Sequence, residues 1–202
     1  MEIKKLTYNY QLPNRILSIN SFVIFNNDKV LLVDPCDFDK IKKLAKNKQV
    51  LAILLTHAHW DHMLALKECQ DFFNCPVYCS KKCRSKFDNP FLNCSQNHDI
   101  DFKIYPKNLR FVKNKEKLNL SDLKIFVYYF AGHSDCSLIF KIDNNYFVGD
   151  SIFETKKVHV DLITSNEKVY QKNYKKFLNK IKNNTANIYC GHENCFSLKN
   201  NT

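Results

Sequence analysis

The sequence contains one short segment, residues 56–62, that reads Thr-His-Ala-His-Trp-Asp-His. Three of the chain's seven histidines and one carboxylate lie within it, directly after the apolar run of residues 50–55. Imidazole and carboxylate are the side chains that hold borderline or hard divalent cations, and no packing pattern calls for this arrangement. The apolar run predicts a strand that delivers the cluster to the rim of a sheet. The segment therefore predicts a metal site at a sheet edge.

The spacing within this segment suggests two ions side by side. His57 and His59 alternate on an extended backbone and can face one ion, whereas Asp61 and His62 are better placed for a second. Two well-held ions need more ligands than these four side chains provide. Further ligands are therefore expected elsewhere in the chain.

The same segment resembles the HxHxDH signature of the metallo-β-lactamase-fold hydrolases. Three later segments resemble the elements that follow it in that superfamily: Gly-His-Ser at 132–134, Gly-Asp-Ser at 149–151 and Gly-His-Glu at 191–193. The resemblance runs from about residue 19 to residue 193. It implies an α/β, four-layer αββα sandwich, with two mixed sheets and helices on the outer faces, and one domain over residues 1–202.

The resemblance also implies a complete ligand set for two divalent ions. We expect these ions to be zinc, although the same ligands also suit iron and manganese. In that set Asp150 bridges the two ions. The other ligands are His57, His59 and His133 for the first ion and Asp61, His62 and His192 for the second. The residues predicted to take part in catalysis are Asp61, Asp150 and His159, the last as a proton donor to the leaving group.

Glycine usage supports these positions independently. The chain has only three glycines, where average usage would give roughly fourteen. Each immediately precedes a predicted ligand, at Gly132, Gly149 and Gly191. Glycine is retained where the backbone turns sharply or another group approaches closely, as at strand ends crowded around ions.

The closing Tyr-Cys-Gly-His-Glu most resembles short glyoxalase II-like proteins, which are thioesterases that cleave hydroxyacylglutathione. This implies hydrolysis of a thioester or related ester by a hydroxide between the two ions. The chain departs from that pattern at Asn194, where tyrosine is common, and at residues 158–161, where Gly-Arg-x-Asp becomes Val-His-Val-Asp. Other readings stay open: a persulfide dioxygenase with one iron, a lactonase, a phosphodiesterase or RNA-processing enzyme, or a metal-binding protein without activity.

Composition constrains the partners. The net charge is +11, yet lysine is spread over nearly every polar segment and arginine occurs only three times. This favours a solvated basic surface over a nucleic-acid interface. The chain has neither a long apolar stretch nor a signal peptide, so we expect a cytoplasmic protein that acts on a small molecule, away from membranes, as a monomer or a homodimer. Nine scattered cysteines are expected to be mostly buried, with Cys136 and Cys190 close to ligands.

Apolar spacing predicts the elements that cover the sheets. One helix is expected at 38–45, a second opens at Asp61 and runs to Asn74, and a third occupies 167–182. The aromatic stretch at 81–105 is expected either to border the substrate cleft or simply to pack. We call residues 56–62 the metal segment. Asp34, at the end of a predicted strand, is expected either to brace the metal segment or to form a plain turn.

Overall fold

The computed structural model describes residues 1–181 and 185–198. Within them the strands form two sheets of six, each following chain order. The first sheet consists of β1 (Glu2–Leu12), β2 (Arg15–Asn26), β3 (Lys29–Val33), β4 (Gln49–Leu54), β5 (Val77–Cys79) and β6 (Leu109–Phe111). The second consists of β7 (Lys117–Leu120), β8 (Leu123–Tyr129), β9 (Leu138–Ile142), β10 (Asn145–Gly149), β11 (Ala186–Cys190) and β12 (Phe196–Leu198).

Both sheets are mixed. In the first, β1 to β3 are antiparallel and β3 to β6 are parallel. In the second, the parallel pair is β10 with β11. The helices are α1 (Phe38–Leu44), α2 (Leu66–Phe73) and α3 (Glu167–Ile181), and α1 and α2 connect parallel strands of the first sheet. Parallel neighbours need such crossovers, and the crossovers cover the sheet face.

Three apolar clusters define the layers. Alternate residues of β2 point to opposite sides, so Phe22 and Ile24 meet Phe140 of the second sheet, while Val23 packs with Ile41 of α1. A third cluster joins the outer face of the second sheet to α3. The order helix, sheet, sheet, helix confirms the predicted αββα sandwich. That residues 1–202 form one domain stays a prediction.

The predicted helix boundaries agree only in part with the structure. A helix opening at Asp61 was wrong, because residues 60–63 form a 3-10 turn and α2 begins at Leu66. Asp61 and His62 are both buried within this turn. The first helix ends at Leu44, and the third matches its prediction from Glu167 to Ile181, with residue 182 outside the described part. No helix in residues 1–181 and 185–198 is long and apolar enough to cross a membrane.

Candidate metal centre

All seven predicted ligands lie at one edge of the sandwich, in loops that follow strands. Residues 57–62 come after β4, and His133 follows β8. Asp150 directly follows β10, and His192 lies two residues beyond β11. Because β10 and β11 are parallel neighbours, their carboxyl ends deliver these two side chains to the same place.

The first group of predicted ligands consists of His57, His59 and His133. One ring nitrogen from each lies within 4.8 Å of the others. His133 Nε2 and His59 Nδ1 face each other at 3.0 Å. All three imidazoles are buried. We call this group the first triad.

The second triad consists of Asp61, His62 and His192, whose ligand atoms also lie within 4.8 Å of one another. His192 Nε2 lies 3.2 Å from Asp61 Oδ2. Asp150 stands between the triads: its Oδ2 is 3.2 Å from His192 Nε2 and 3.7 Å from His133 Nε2. Its Oδ1 is 3.2 Å from His62 Nε2. One carboxylate therefore reaches both groups, as the bridging role requires.

Buried atoms without hydrogen bonds show that this donor set fits cations. In the part of the chain that the structure describes, His57 Nε2 and His59 Nε2 are buried without a hydrogen bond. His62 Nε2 and Asp150 Oδ1 are also buried without one, because they lie 3.2 Å apart as an ion pair that lacks hydrogen-bond geometry. Buried polar atoms in folded proteins are nearly always hydrogen-bonded, so a cluster of buried imidazole nitrogens without hydrogen bonds is suited to hold a cation. Imidazole nitrogens with carboxylate oxygens suit zinc, iron and manganese alike.

The opposite sides of the histidine rings are held by polar partners. Asp34 accepts hydrogen bonds from His62 Nδ1 at 2.9 Å, from the Thr56 hydroxyl at 2.5 Å and from the Thr56 backbone N–H at 2.8 Å. The Thr56 hydroxyl in turn lies 3.1 Å from His57 Nδ1. Such contacts fix the ring tautomer and leave Nε2 free to bind a metal. Asp34 therefore braces the metal segment, which the sequence had left undecided.

Backbone carbonyls hold two further ligand rings. His133 Nδ1 donates to the His159 carbonyl at 2.8 Å, and His192 Nδ1 donates to the Ser18 carbonyl at 2.5 Å. Asn20, close to Ser18 on β2, also contacts this region, because its Nδ2 donates to the Cys190 carbonyl. Neither Ser18 nor Asn20 was predicted from the sequence to belong to the site. No local sequence signal marks them, because their partners lie more than a hundred residues away in the chain.

The charges of the two triads differ. Burial, with His133 next to it, lowers the pKa of His59 to about 3. Burial also lowers the pKa of His192, but Asp150 and Asp61 outweigh it and raise that pKa to about 10. Burial raises the pKa of Asp61, yet His62 and His192 bring it down to about 2. The first triad is thus a set of neutral imidazoles, whereas the second is a network of opposite charges.

The glycines that precede ligands are required by crowding. Gly149 has φ +52°, and a Cβ there would collide with the Thr56 side chain. A Cβ on Gly191 would collide with Asp150 and His62. Any side chain at either position would displace ligands, which explains why a chain so poor in glycine has it here.

A cleft of about 370 Å³ opens over the ligands. Its apolar wall includes Trp60, whose ring meets Tyr10 of β1 edge-on at 4.9 Å between centroids. Arg15, Lys156 and Lys157 also line it. The 81–105 stretch contributes Cys94, Asn97 and His98, while its phenylalanines lie elsewhere.

His159 also lines this cleft, as the sequence predicted, although its imidazole is 74% exposed. Its backbone carbonyl holds His133, but its catalytic role stays a prediction. Cys136 and Cys190 lie beside ligands as expected: the Cys136 sulfur accepts from the Ala58 N–H at 3.4 Å, and the Cys190 thiol donates to the His192 carbonyl at 2.7 Å. Burial raises the pKa of the Cys190 thiol to about 12.

The profile of the metallo-beta-lactamase superfamily matches residues 15–192, and the chain belongs to this superfamily. A probable metallo-hydrolase of Streptococcus pyogenes is 33% identical over 168 residues, which cover 78% of this chain and 72% of that protein. A hydroxyacylglutathione hydrolase of Wigglesworthia glossinidia brevipalpis is 38% identical over 73 residues, covering 33% of this chain and 29% of that protein.

Solved structures show the same fold. BLEG-1 B3 metallo-beta-lactamase superposes with a TM-score of 0.85 at 24% identity, covering 97% of this chain and 94% of that one. TTHA1623 in a di-iron-bound form superposes with a TM-score of 0.78 at 22% identity, covering 95% and 94%. The fold, the family and the His/Asp clusters together make this a metallo-hydrolase superfamily member with a divalent-metal site.

Proposed function

We propose that the protein is a dinuclear metal-dependent hydrolase acting on a thioester or a related ester. The observation that carries this proposal is the meeting of two complete triads at one carboxylate, Asp150. A single-ion enzyme has no need of the second triad, so a persulfide dioxygenase with one iron is disfavoured. Asp150, reaching both triads, offsets part of the charge of two cations.

The residues have distinct roles in this proposal. His57, His59 and His133 hold one ion, and Asp61, His62 and His192 hold the other. Divalent cations bound there would lower the pKa of water towards neutrality and polarise a substrate carbonyl. Asp34, Thr56 and the carbonyls of Ser18 and His159 keep the rings oriented, so little rearrangement accompanies binding.

We propose zinc as the resident metal, with iron and manganese as alternatives that the ligands accept equally well. TTHA1623, which has a similar fold, has been solved in a di-iron-bound form, and this supports iron as an alternative metal. Elemental analysis of protein purified without added metal decides this directly. Two ions per chain support the dinuclear proposal, and a reproducible single ion overturns it.

We propose a small anionic molecule as the substrate. Arg15, Lys156 and Lys157 line the cleft, while its two carboxylates, Asp61 and Asp150, both belong to the metal site. A cleft of about 370 Å³ is of the size that holds a small ligand. The hydroxyacylglutathione hydrolase relative supports a thioester, although the match covers a third of this chain.

The test is a substrate panel assayed on metal-analysed protein. It contains a thioester, a lactone, a phosphodiester and a persulfide, with the thioester supplied both with a free carboxylate and as its neutral amide. We expect the highest kcat/KM for the carboxylate-bearing thioester. Preference for the phosphodiester or oxygen consumption with the persulfide would overturn the thioesterase assignment. Equal rates on the two thioesters would refute the anionic preference alone.

A further inference from the structure

The strand β2 continues past its neighbour β3 and meets the second sheet beside the metal site. β3 pairs with β2 only from Phe22 to Asn26. Before that point, β2 contacts the turn that follows β11: the Asn20 N–H donates to the Gly191 carbonyl at 2.7 Å, and the Ser18 carbonyl accepts from His192 Nδ1. The two sheets are therefore joined by hydrogen bonds at the turn that carries a predicted ligand.

Asn20 makes the most extensive of these contacts. The residue is 2% exposed, and its Nδ2 donates to the Cys190 carbonyl at 3.0 Å and to the Glu193 carbonyl at 2.8 Å. With its backbone N–H on Gly191, this one residue contacts the carbonyls of three residues that surround His192. Glu193 has φ +65°, a conformation that non-glycine residues adopt rarely and that surrounding contacts must maintain.

The orientation of the Asn20 amide is set by a neighbouring strand. The Thr7 hydroxyl of β1 donates to Asn20 Oδ1 at 2.9 Å, and Thr7 lies directly opposite Asn20 in the β1–β2 register. Asn20 Oδ1 thus faces Thr7, which leaves both hydrogens of Nδ2 for the turn. A chain of contacts runs from the exposed edge strand through Asn20 to the His192 turn.

We propose that Asn20 is a positioning residue that holds His192 in place for the second ion. This inference rests on the two-ion proposal above and adds to it a residue outside the ligand set. Within residues 1–181 and 185–198, none of the hydrogen bonds of the Asn20 side chain reaches the first triad. Removing its amide donor should loosen the second site and leave the first nearly unchanged.

The test compares Asn20→Asp and Asn20→Ala with a matched control. Asn20→Asp keeps the volume and the acceptor for Thr7 but places a carboxylate oxygen against two carbonyls. Asn93 is the control residue, since it is equally buried and its Nδ2 also donates to two carbonyls, those of Lys86 and Phe102. Asn93→Asp therefore reproduces the same chemical change away from the His192 turn.

The first readout is a Zn²⁺ titration against a chromogenic chelator. In both Asn20 variants the second zinc should bind about 10-fold to 100-fold more weakly, the range found when partners of metal ligands are removed. The first zinc should change by no more than about twofold. Equal weakening of both ions, no weakening, or the same loss in Asn93→Asp would overturn the inference.

The second readout needs no metal. In zinc-free protein the amide of Gly191, which donates to the Gly149 carbonyl, should exchange its hydrogen faster in the Asn20 variants than in wild type or Asn93→Asp. If wild type takes up one zinc only, the two-ion proposal fails and this measurement decides the role of Asn20 by itself. Unchanged exchange at Gly191 would then reject it. Thr7→Val should give a smaller acceleration, because it removes only the contact that orients the amide.

Discussion

The two triads are built from similar side chains but differ in charge and in how they are held. The first consists of three buried imidazoles whose pKa values are lowered, chiefly by burial. In the second, two imidazoles lie against Asp61 and Asp150, and those carboxylates raise the histidine pKa values despite burial. The first site is ready to accept an ion at neutral pH, whereas the second must first lose protons.

The triads also differ in where their support comes from. Apart from the carbonyl that holds His133, the first triad is braced by Thr56 of the metal segment, and Asp34, at the end of β3, holds both Thr56 and His62 of the second triad. The second depends on the first sheet as well, because His192 is held by Ser18 and its turn by Asn20. Under the two-ion proposal, binding of the second ion therefore depends on correct docking of the two sheets, while binding of the first depends mainly on one loop and the strand end beneath it.

Replacing Asp150 should remove the difference between the triads by damaging both. Asp150→Ala takes away the carboxylate that stands between the two triads, so we expect loss of both ions. Turnover should fall by about a thousandfold or more, since several kcal/mol of charge stabilisation disappears. Elemental analysis and kcat/KM measure this. Retention of two ions with near-normal turnover would show that the bridge is assigned wrongly.

Replacing His159 should alter the chemistry without altering the ions. The His159 contact with His133 is made by the backbone carbonyl, so His159→Ala keeps it and metal content should stay the same. If the imidazole donates a proton to the leaving group, turnover should drop by on the order of a hundredfold, most for poor leaving groups. The check is kcat across thioesters of graded thiol pKa. A uniform loss points to substrate binding, and no loss leaves His159 as a surface residue.

Asp34 and Thr56 allow the two triads to be weakened to different extents. In Asp34→Asn, the amide N–H faces either the Thr56 N–H or the Thr56 hydroxyl and His62 Nδ1. We therefore expect the second ion to bind about 10-fold to 100-fold more weakly through His62, and the first ion to be weakened by a smaller factor through Thr56. Thr56→Val removes the partner of His57 and should weaken the first ion by about fivefold, the value of one neutral hydrogen bond. Zinc titrations of both variants test this. A greater loss of the first ion in Asp34→Asn, or of the second ion in Thr56→Val, would contradict the roles assigned to these two residues.

The pH dependence of zinc uptake should separate the triads in the unmodified protein. Metal binding needs neutral imidazole, and the pKa of His192 is raised to about 10 in the metal-free site. Affinity for the second ion should therefore rise with pH, by about tenfold per unit between about pH 7 and about pH 9 for each proton lost. The pKa of His59 is about 3, so affinity for the first ion should stay nearly flat over this range. If the affinities for the two ions changed with pH at the same rate, the proposed difference in charge between the triads would be wrong.

The sequence alone determined which side chains meet and the sandwich that brings them together. The ligand order, the three glycines and the alternation of apolar residues are local patterns, and local patterns survive in a single sequence. Two of the glycine positions were informative because Gly149 and Gly191 are crowded by Thr56, Asp150 and His62 at the site, whereas Gly132 is crowded by Tyr170 of α3. The exact start of α2 was not predicted, since ligand convergence overrode helical spacing at residues 60–63.

Only the tertiary structure decided how those ligands are held and what surrounds them. β1 went unpredicted because it is a half-exposed edge strand whose alternation is interrupted by adjacent lysines. The Asn20 contact with Cys190 joins residues 170 positions apart, and no local pattern marks such a pair. The cationic lining of the cleft arises in the same way, since Arg15 and Lys156 come together only when the sheets pack. The type of residue determines which atoms can bind a metal. The orientation of those residues and the lining of the cleft depend on contacts between distant segments, and such contacts form only in the folded chain.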